Sequence, residues 1–263
     1  FKRGMSNMEF IDQEDRRVTM QYKTDDDIPN GNHVLAIPIF QNQLLFTKHS
    51  KRGIEFPGGK VEINETSQQA IARELYEETG GKIEALYYIA QYQVHTFDKS
   101  LFKKDVYVIK VKSIEHKHDY LETEGPILFH LVNEIPEHQK SYLIKDEAIL
   151  KCLERVKDLG TMPVESNTHR FEELTYTVDE LRVKALQMVP MYHNVKRIVV
   201  YLRGGKGQVG RVRASRLMQF SDPYTLVIGP YYRGSNGSEG KDEFCNADLH
   251  DVTVLIRLLK NKY

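Results

Sequence analysis

The alternation of apolar and polar residues divides the first part of the chain into strand-like runs that flank one amphipathic helix. Residues 33–40, 43–50, 85–97 and 105–114 run apolar or alternate with a period of two, as β-strands do. A further helix is expected near residues 145–159, where apolar residues recur at helical spacing. This part of the chain is therefore predicted to combine strands with helices.

The pattern changes after Gly160, where residues 161–169 mix proline, serine and asparagine in a way typical of a linker. Thr177-Val-Asp-Glu180 has the form of a helix capping box, and the apolar residues after it predict a helix through Leu186. Strands are expected at 195–203, 209–215 and 224–233, followed by a last helix at 249–259. The second part of the chain is thus predicted to be a small α+β unit.

Length and charge support a division into two parts. A chain of 263 residues is long enough for two domains, which we place at 1–160 and 170–263 with a linker at 161–169. Residues 1–160 hold 22 Lys and Arg against 26 Asp and Glu, whereas residues 161–263 hold 15 against 11. The first domain is therefore slightly acidic and the second slightly basic, although the net charge of the chain is zero.

Composition excludes several classes of protein. A hydrophobic content of 40% with 28% charged residues is typical of a soluble globular chain, and no apolar run is long enough to span a membrane. Cys152 and Cys245 lie far apart, and neither they nor the histidines show the spacing of a zinc site. Because no signal peptide is visible, the cytoplasm is the expected compartment.

The most informative segment is a glycine turn followed by an acidic helix of roughly four turns. Pro57-Gly58-Gly59 predicts the turn, Thr66 or Asn64 can cap the helix, and Gly80 can end it. Residues three and four apart share one face of a helix, so this spacing puts three carboxylates together. They are Glu74, Glu77 and Glu78.

Three carboxylates on one helix face repel one another unless a cation lies among them. An acidic helix face is often only solvated surface, so the cluster alone does not establish a metal site. Mg²⁺ prefers carboxylate oxygens, keeps several water ligands and is commonly shared with substrate phosphates. The carbonyl groups of Gly58 or Gly59 are candidates for a further oxygen ligand from the loop.

Seven positions from Gly59 to Gly80 fit the spacing G-x5-E-x7-R-E-U-x-E-E-x-G, with Leu75 at the aliphatic U position. The segment resembles the Nudix box, the signature of enzymes that cleave diphosphate linkages joined to a nucleoside or similar group. Gly81 departs from the pattern, because the family usually has an aliphatic residue there, and we expect one weakened packing contact. Beyond the box, residues 120–130 are similar to a MutT-like branch of Gram-positive nucleoside triphosphatases that also act as RNA 5′-pyrophosphohydrolases.

The resemblance implies an α/β/α sandwich around a mixed sheet for about the first 160 residues. It also implies hydrolysis of a phosphoanhydride with Mg²⁺ or Mn²⁺ bound beside the substrate. Three box residues would be structural rather than catalytic: Arg73 pairs with the box glutamates, Glu65 braces the site in a similar way, and Gly80 closes the box. The expected substrate is a nucleoside triphosphate of the dGTP or 8-oxo-dGTP type, a triphosphorylated RNA 5′ end, or both.

Within this resemblance, the carboxylates take different roles. Glu74 is the favoured general base, and Glu77 and Glu78 are the chief metal ligands. Glu122 is the alternative base, because the family often draws another acid from a downstream loop. The competing interpretation of Glu122 is an exposed loop glutamate without a role in catalysis.

Candidate substrate contacts surround the box, although each has an ordinary alternative. Lys60 follows the glycines and Lys48 and Arg52 precede them, so each can contact a phosphate or be a plain surface cation. Phe56 and Phe129 can stack on a base or pack in the core. Because the sequence contains no tryptophan, a tryptophan clamp on the base is excluded.

The second domain has a basic segment, residues 195–216, that contains no acidic residue. Candidate RNA contacts in it are Arg203, Lys206, Arg211 and Arg213, with Tyr201, Tyr231 and Tyr232 as candidate stacking residues. The alternatives are an amphipathic hairpin with a basic polar face, or a contact with another protein. For the whole chain, the alternative to an enzyme is a nucleotide-sensing regulator on a Nudix scaffold, which an intact acidic set argues against.

Overall fold

The computed structural model describes residues 7–96, 100–164, 166–205 and 212–263. The chain divides into two compact units, Phe1–Leu159 and Gly160–Tyr263, and each has its own sheet and its own hydrophobic core. The assignment of these units as separate domains stays a prediction. None of the helices in the described ranges is both long and apolar enough to cross a bilayer.

The first unit is built on a mixed sheet. Its strands are β1 (Met8–Ile11), β2 (Arg17–Tyr22), β3 (His33–Phe40), β4 (Gln43–His49), β5 (Gly53–Glu55), β6 (Gly58–Lys60), β7 (Gly81–His95), β8 (Leu101–Ile114) and β9 (Thr123–Phe129). They follow the order β1-β2-β7-β8-β3-β4-β5, with β6 also paired to β3 and β9 to β4. β3 and β8 run parallel, and the other pairs are antiparallel. The mixed sheet is confirmed, whereas β1 and β2 were not predicted.

Two helices cover this sheet: α1 (Ser67–Thr79) and α2 (Glu147–Asp158). α1 buries Ile71 and Leu75 against the face that carries Tyr107 of β8. Because side chains alternate along a strand, Lys104 of β8 points to the opposite face. The hydroxyl of Tyr22, which lies on that second face, donates to the carbonyl of Lys151 of α2 at 3.1 Å, so α2 covers this face. The arrangement is the predicted α/β/α sandwich.

The ends of α1 form as the sequence predicts. Thr66 is the N-cap, and its side chain and that of Gln69 form a reciprocal capping box. Gly80 adopts the left-handed conformation, φ 71°, and its N–H donates to the carbonyl of Tyr76. Gly81 leaves no gap, since a Cβ there would lie 3.1 Å from Leu75 Cγ. The expected weakened packing contact at Gly81 is therefore wrong.

A buried carboxylate fastens the start of α1 to the sheet. Asp105 of β8 is fully buried and accepts hydrogen bonds from the hydroxyl of Ser67 (2.7 Å), the hydroxyl of Tyr88 (2.8 Å), and the N–H of Gly31 (2.7 Å). The side-chain amide of Gln91 donates a fourth hydrogen bond, at 2.7 Å. All these donors are neutral, and they fully satisfy a charge that would otherwise be expensive to bury.

Within its described residues, the second unit has a four-stranded sheet and two α-helices. Its elements are β10 (His169–Val178), β11 (Leu181–Pro190), β12 (Arg197–Val200), α3 (Ala214–Leu217), β13 (Thr225–Pro230) and α4 (Asp248–Lys262). The strand order is β10-β11-β13-β12, and β12 and β13 are parallel. Leu255 and Leu259 of α4 pack into a core with Val183 and Ala185 of β11.

Two predicted elements of the second unit are wrong. Residues 177–186 are not a helix, because β10 and β11 form a continuous antiparallel hairpin from His169↔Pro190 to Val178↔Leu181. Asp179 and Glu180 form its turn with φ of 49° and 66°. In the middle of β11, buried residues recur at every second position (Val183, Ala185 and Gln187), which is the period of a strand. The strand predicted at 209–215 partly lies outside the described residues, and Ala214–Leu217 is helical.

The turn at Glu180 gives a test of this correction. Both turn residues have positive φ, as in a two-residue hairpin whose second position favours glycine. We expect Glu180→Gly to raise the free energy of unfolding of the second unit by on the order of 0.5 kcal/mol. In a helix, the same change would lower it by about 1 kcal/mol. Chemical denaturation checks the sign, and Glu173→Gly, inside β10, is the matched control that should be destabilising.

Candidate active site

Arg73 of α1 is the centre of the acidic cluster. Its Nε and Nη2 donate to Glu65 at 2.9 and 3.0 Å, and its Nη1 donates to Glu74 at 2.9 Å and to Glu77 at 3.1 Å. Nη2 also donates to the carbonyl of Lys60 at 2.9 Å. The hydrogen bonds from Arg73 lower the pKa of Glu65. The structure thus brings together the residues to which the resemblance assigned a bracing role.

Glu78 lies on the inner side of the same helix face and has a different environment. Burial, together with the nearby charges of Glu74 and Glu55, raises the pKa of Glu78 to about 8. Its Oε2 is buried and has no hydrogen-bond partner within the described ranges. Burial also raises the pKa of Glu74, although Arg73 partly offsets this effect. One carboxylate of the box therefore has a buried oxygen that is unsatisfied.

The two glycines of β6 bring the sheet against these carboxylates. A Cβ on Gly59 would lie 2.1 Å from Oε1 of Glu74, and one on Gly58 would lie 2.4 Å from the carbonyl oxygen of Val34. Only glycine leaves room for both contacts. The backbone N–H of Gly58 lowers the pKa of Glu78 and so partly offsets the rise caused by burial. Whether the glycine carbonyls bind a metal stays a prediction.

The chemistry of these residues fits a hard divalent cation. Within the described part of the chain, no three His, Cys, Asp or Glu side chains converge into a ready-made metal site. Arg73 accounts for this, because it holds Glu74 and Glu77 as its own partners. Mg²⁺ is usually bound through one or two carboxylates together with water and substrate phosphates. Glu78, with its unpartnered buried oxygen, and Glu77 on the same helix face supply such a set.

The predicted phosphate contacts divide into engaged and available cations. Arg52 is bound to Glu55 through two hydrogen bonds, at 2.7 and 3.2 Å, and Lys48 pairs with Glu124 at 2.6 Å. Both cations neutralise acidic neighbours in this structure, and their contact with phosphate stays a prediction. Lys60 is exposed at the end of β6 and stays a candidate phosphate contact.

The two candidate stacking rings belong to an aromatic cluster around Phe46. Phe56 is 5% exposed, and its ring centroid lies 4.6 Å from that of Phe46. Phe129 packs edge-on against the same ring at 6.0 Å. Stacking of Phe56 on a base is therefore wrong, because the ring fills the core, whereas Phe129 is only half-buried and stays a candidate.

Glu122 does not lie within the α1 cluster. Its side chain is 85% exposed, on the turn before β9, and its Oε2 is 3.6 Å from Nε2 of His49. The next residue, Thr123, donates its hydroxyl to the carbonyl of Glu78 at 3.2 Å. The turn is therefore anchored to the end of α1, and a catalytic role for Glu122 stays a prediction.

Sequence reasoning missed two charged residues near the site. Glu55 is 5% exposed and contributes to the raised pKa of Glu78. Its only sequence signal was its position just before the Pro57 turn. Lys104 forms no hydrogen bond or ion pair with any described residue, and its ammonium lies 5.1 Å from the ring of Phe102. Burial lowers the pKa of Lys104 to about 8. The sequence did contain a signal for Lys104, because the alternation of side chains along β8 places it on the same face as apolar residues.

The second unit supports RNA binding less than its sequence indicated. The side chain of Arg203 is 5% exposed and pairs with Asp242 at 2.6 Å and with Asp248 at 3.1 Å. Tyr232 lies under this guanidinium and is buried, as is Tyr231. These three residues are therefore corrected from candidate RNA contacts to parts of the fold.

The remaining candidates in the second unit are not excluded by the structure. Arg213 is half-buried at the start of α3. Lys206 and Arg211 lie outside the described residues. An RNA contact by this unit stays a prediction for these three positions.

Comparison with known proteins agrees with this geometry. A model of the NUDIX domain matches residues 29–139. YtkD of Bacillus subtilis (strain 168), which is named for an 8-oxo-dGTP diphosphatase activity, is 36% identical over 157 residues, covering 58% of this chain and 97% of YtkD. Among solved structures, the Bacillus subtilis pyrophosphohydrolase BsRppH matches with a TM-score of 0.53 and 33% sequence identity. The match covers 59% of this chain and 99% of the BsRppH chain.

A different relative is matched over a shorter stretch. The uncharacterized peptidase YtmA of Bacillus subtilis (strain 168) is 37% identical over 98 residues. The match covers 37% of this chain and 38% of the length of YtmA.

Because almost all of YtkD is matched, and the box carboxylates, their arginine and the glycine strand lie together as described, the chain belongs to the Nudix family of hydrolases.

Proposed function

We propose that this protein is a metal-dependent pyrophosphohydrolase that cleaves a phosphoanhydride bond of a nucleoside triphosphate. The observation that carries the proposal is the buried, unpartnered oxygen of Glu78, which lies beside the carboxylate of Glu74. A buried carboxylate oxygen without a partner is unfavourable in a protein that binds nothing there. A bound dication removes that penalty.

Each residue of the cluster has a distinct task in this proposal. Glu78, with Glu77, would hold Mg²⁺ or Mn²⁺, which when bound would neutralise phosphate charge as the bond breaks. Arg73 fixes the carboxylates of Glu74 and Glu77 by hydrogen bonds and keeps them from repelling each other. Glu74 accepts the proton of the attacking water, and the pKa increase caused by its burial moves it toward the working pH. Lys60 contacts the phosphate chain from the end of β6.

The substrate class follows from the relatives rather than from the site alone. YtkD is named for 8-oxo-dGTP, and BsRppH is described as a pyrophosphohydrolase. We therefore propose nucleotides of the dGTP or 8-oxo-dGTP type, triphosphorylated RNA 5′ ends, or both, as substrates. Each cleavage consumes one water. It releases pyrophosphate and leaves a monophosphate on the nucleoside or RNA 5′ end, or it releases phosphate and leaves a diphosphate. For the second unit, an RNA contact rests only on the positions that the structure leaves open.

A substrate panel tests this function. The full chain, with Mg²⁺ or Mn²⁺, should release pyrophosphate or phosphate from at least one of dGTP, 8-oxo-dGTP and a short 5′-triphosphate RNA. Glu74→Gln should lower kcat about 10²–10⁴-fold, the usual effect of losing a general base, without loss of the circular dichroism spectrum. Equal inactivity of the wild type and Glu74→Gln on all three substrates would favour a nucleotide sensor instead.

A further inference from the structure

His49, the last residue of β4, has one ring nitrogen used by the fold and one that is not. The residue is 6% exposed. Its Nδ1 accepts hydrogen bonds from the backbone N–H groups of Lys51 at 3.1 Å and Arg52 at 3.2 Å. Because Nδ1 is an acceptor, the proton of the neutral ring is on Nε2. His49 is therefore a hydrogen-bond donor whose direction is set by the loop that follows it.

The N–H at Nε2 of His49 has no hydrogen-bond partner among the described residues, although it is buried. Leaving a buried donor unpaired typically costs about 1–3 kcal/mol. Oε2 of Glu122 lies 3.6 Å away, which is too long for a hydrogen bond. A small rotation of the Glu122 side chain would close that gap, since this side chain is 85% exposed and unconfined.

The backbone of Glu122 is already held in place for such a contact. Its carbonyl accepts from the N–H of Ser50 at 3.2 Å and from the hydroxyl of Ser50 at 3.0 Å. Thr123 and Thr47 both donate their hydroxyls to the carbonyl of Glu78 at 3.2 Å. The turn that carries Glu122 is thus tied to His49 on one side and to the metal-binding end of α1 on the other.

We infer that His49 is a positioning residue, which donates its Nε2–H to the carboxylate of Glu122 and fixes that carboxylate at the edge of the acidic cluster during turnover. The inference rests on the proposed function, because it assigns Glu122 a place in the hydrolysis. Catalytic hydrogen bonds are often long in a free enzyme and shorten when substrate binds. An exposed glutamate thereby becomes a fixed negative charge facing the substrate.

Two substitutions separate the two nitrogens of the ring. His49→Asn keeps an acceptor near Nδ1 for the Lys51 and Arg52 N–H groups and removes the donor toward Glu122. His49→Gln keeps a donor near Nε2 and removes the acceptor. We expect His49→Asn to keep the wild-type Tm and to lose about tenfold in kcat with KM unchanged. His49→Gln should lose Tm but keep more of kcat than His49→Asn.

A double-mutant cycle completes the test. Glu122→Gln should lower kcat by at least as much as His49→Asn, and the double variant should be no slower than Glu122→Gln alone. If the kcat losses of Glu122→Gln and His49→Asn multiplied in the double variant, the two residues would act independently and the inference would be overturned. It would also be overturned if kcat fell in parallel with Tm in both His49 variants, because His49 would then have only a structural role. Full activity of Glu122→Gln would overturn it while the proposed function stands. An inactive wild type would instead remove the proposed function, and the inference with it.

Discussion

Glu78→Gln should lower kcat about 10³-fold and, at the same time, raise the thermal stability of the metal-free protein. The loss of rate corresponds to about 4 kcal/mol, which is within the several kcal/mol expected when a metal site is lost. The gain in stability follows because burial and the charges of Glu74 and Glu55 raise the pKa of Glu78 to about 8. Folding of the metal-free protein at neutral pH must therefore protonate this carboxylate, and glutamine removes that cost. Activity and stability therefore move in opposite directions at this position.

Thermal unfolding with and without metal measures the second part of this prediction. For the wild type, millimolar MgCl₂ should raise Tm, since a ligand at one hundred times its Kd stabilises the folded state by about 2.7 kcal/mol. For Glu78→Gln, this shift should disappear. Glu147→Gln, at an exposed position of α2, is the matched control and should keep both the rate and the metal-induced shift. An undiminished metal shift in Glu78→Gln would contradict the assignment of Glu78 as a ligand.

Arg73→Lys should lower the free energy of unfolding of the first unit by about 2 kcal/mol, despite the conserved charge. The guanidinium reaches Glu65, Glu74, Glu77 and the carbonyl of Lys60 at once. An ammonium has three donors on one atom and cannot reproduce that planar fork. The half-buried carboxylates are then left to repel one another, and kcat should fall as well because Glu74 loses its orientation.

Urea denaturation measures the loss, and the metal should partly reverse it. A dication at the cluster neutralises the same carboxylates, so added Mg²⁺ should restore more stability to Arg73→Lys than it adds to the wild type. Arg17→Lys is the control, because Arg17 and Glu9 form an exposed pair whose exchange should change stability by less than about 0.5 kcal/mol. Equal stability of wild type and Arg73→Lys would show that the hydrogen bonds of Arg73 contribute nothing to the fold.

The sequence predicted the acidic helix well because spacing alone determines it. Helical periodicity places Glu74, Glu77 and Glu78 on one face, and the caps at Thr66 and Gly80 are local features of the chain. Spacing does not show depth, however. Oε2 of Glu78 is buried whereas the side chain of Glu77 is partly exposed, and this difference depends on contacts between α1 and residues distant in the sequence.

The misassigned helix at 177–186 shows how a local signal can mislead. Thr177 and Glu180 match a capping box, but the two residues between Val178 and Leu181 are instead the turn of a hairpin. The hairpin wins because alternate residues of β11 can be buried under α4, which no local pattern reveals. The burial of Arg203 was hidden for the same reason, since its acidic partners lie about forty residues further along the chain.

The attachment of α1 at Asp105 has a consequence for how the carboxylates are aimed. Apolar contacts such as those of Leu75 resist separation of the helix from the sheet but only weakly resist its rotation about its own axis. Hydrogen bonds are directional, so the bond from Ser67 to Asp105 sets the angular position of the helix. A residue that never meets the substrate thereby decides where the acidic groups point. A substitution of Asp105 should therefore lower activity in the same way as a substitution of the box carboxylates.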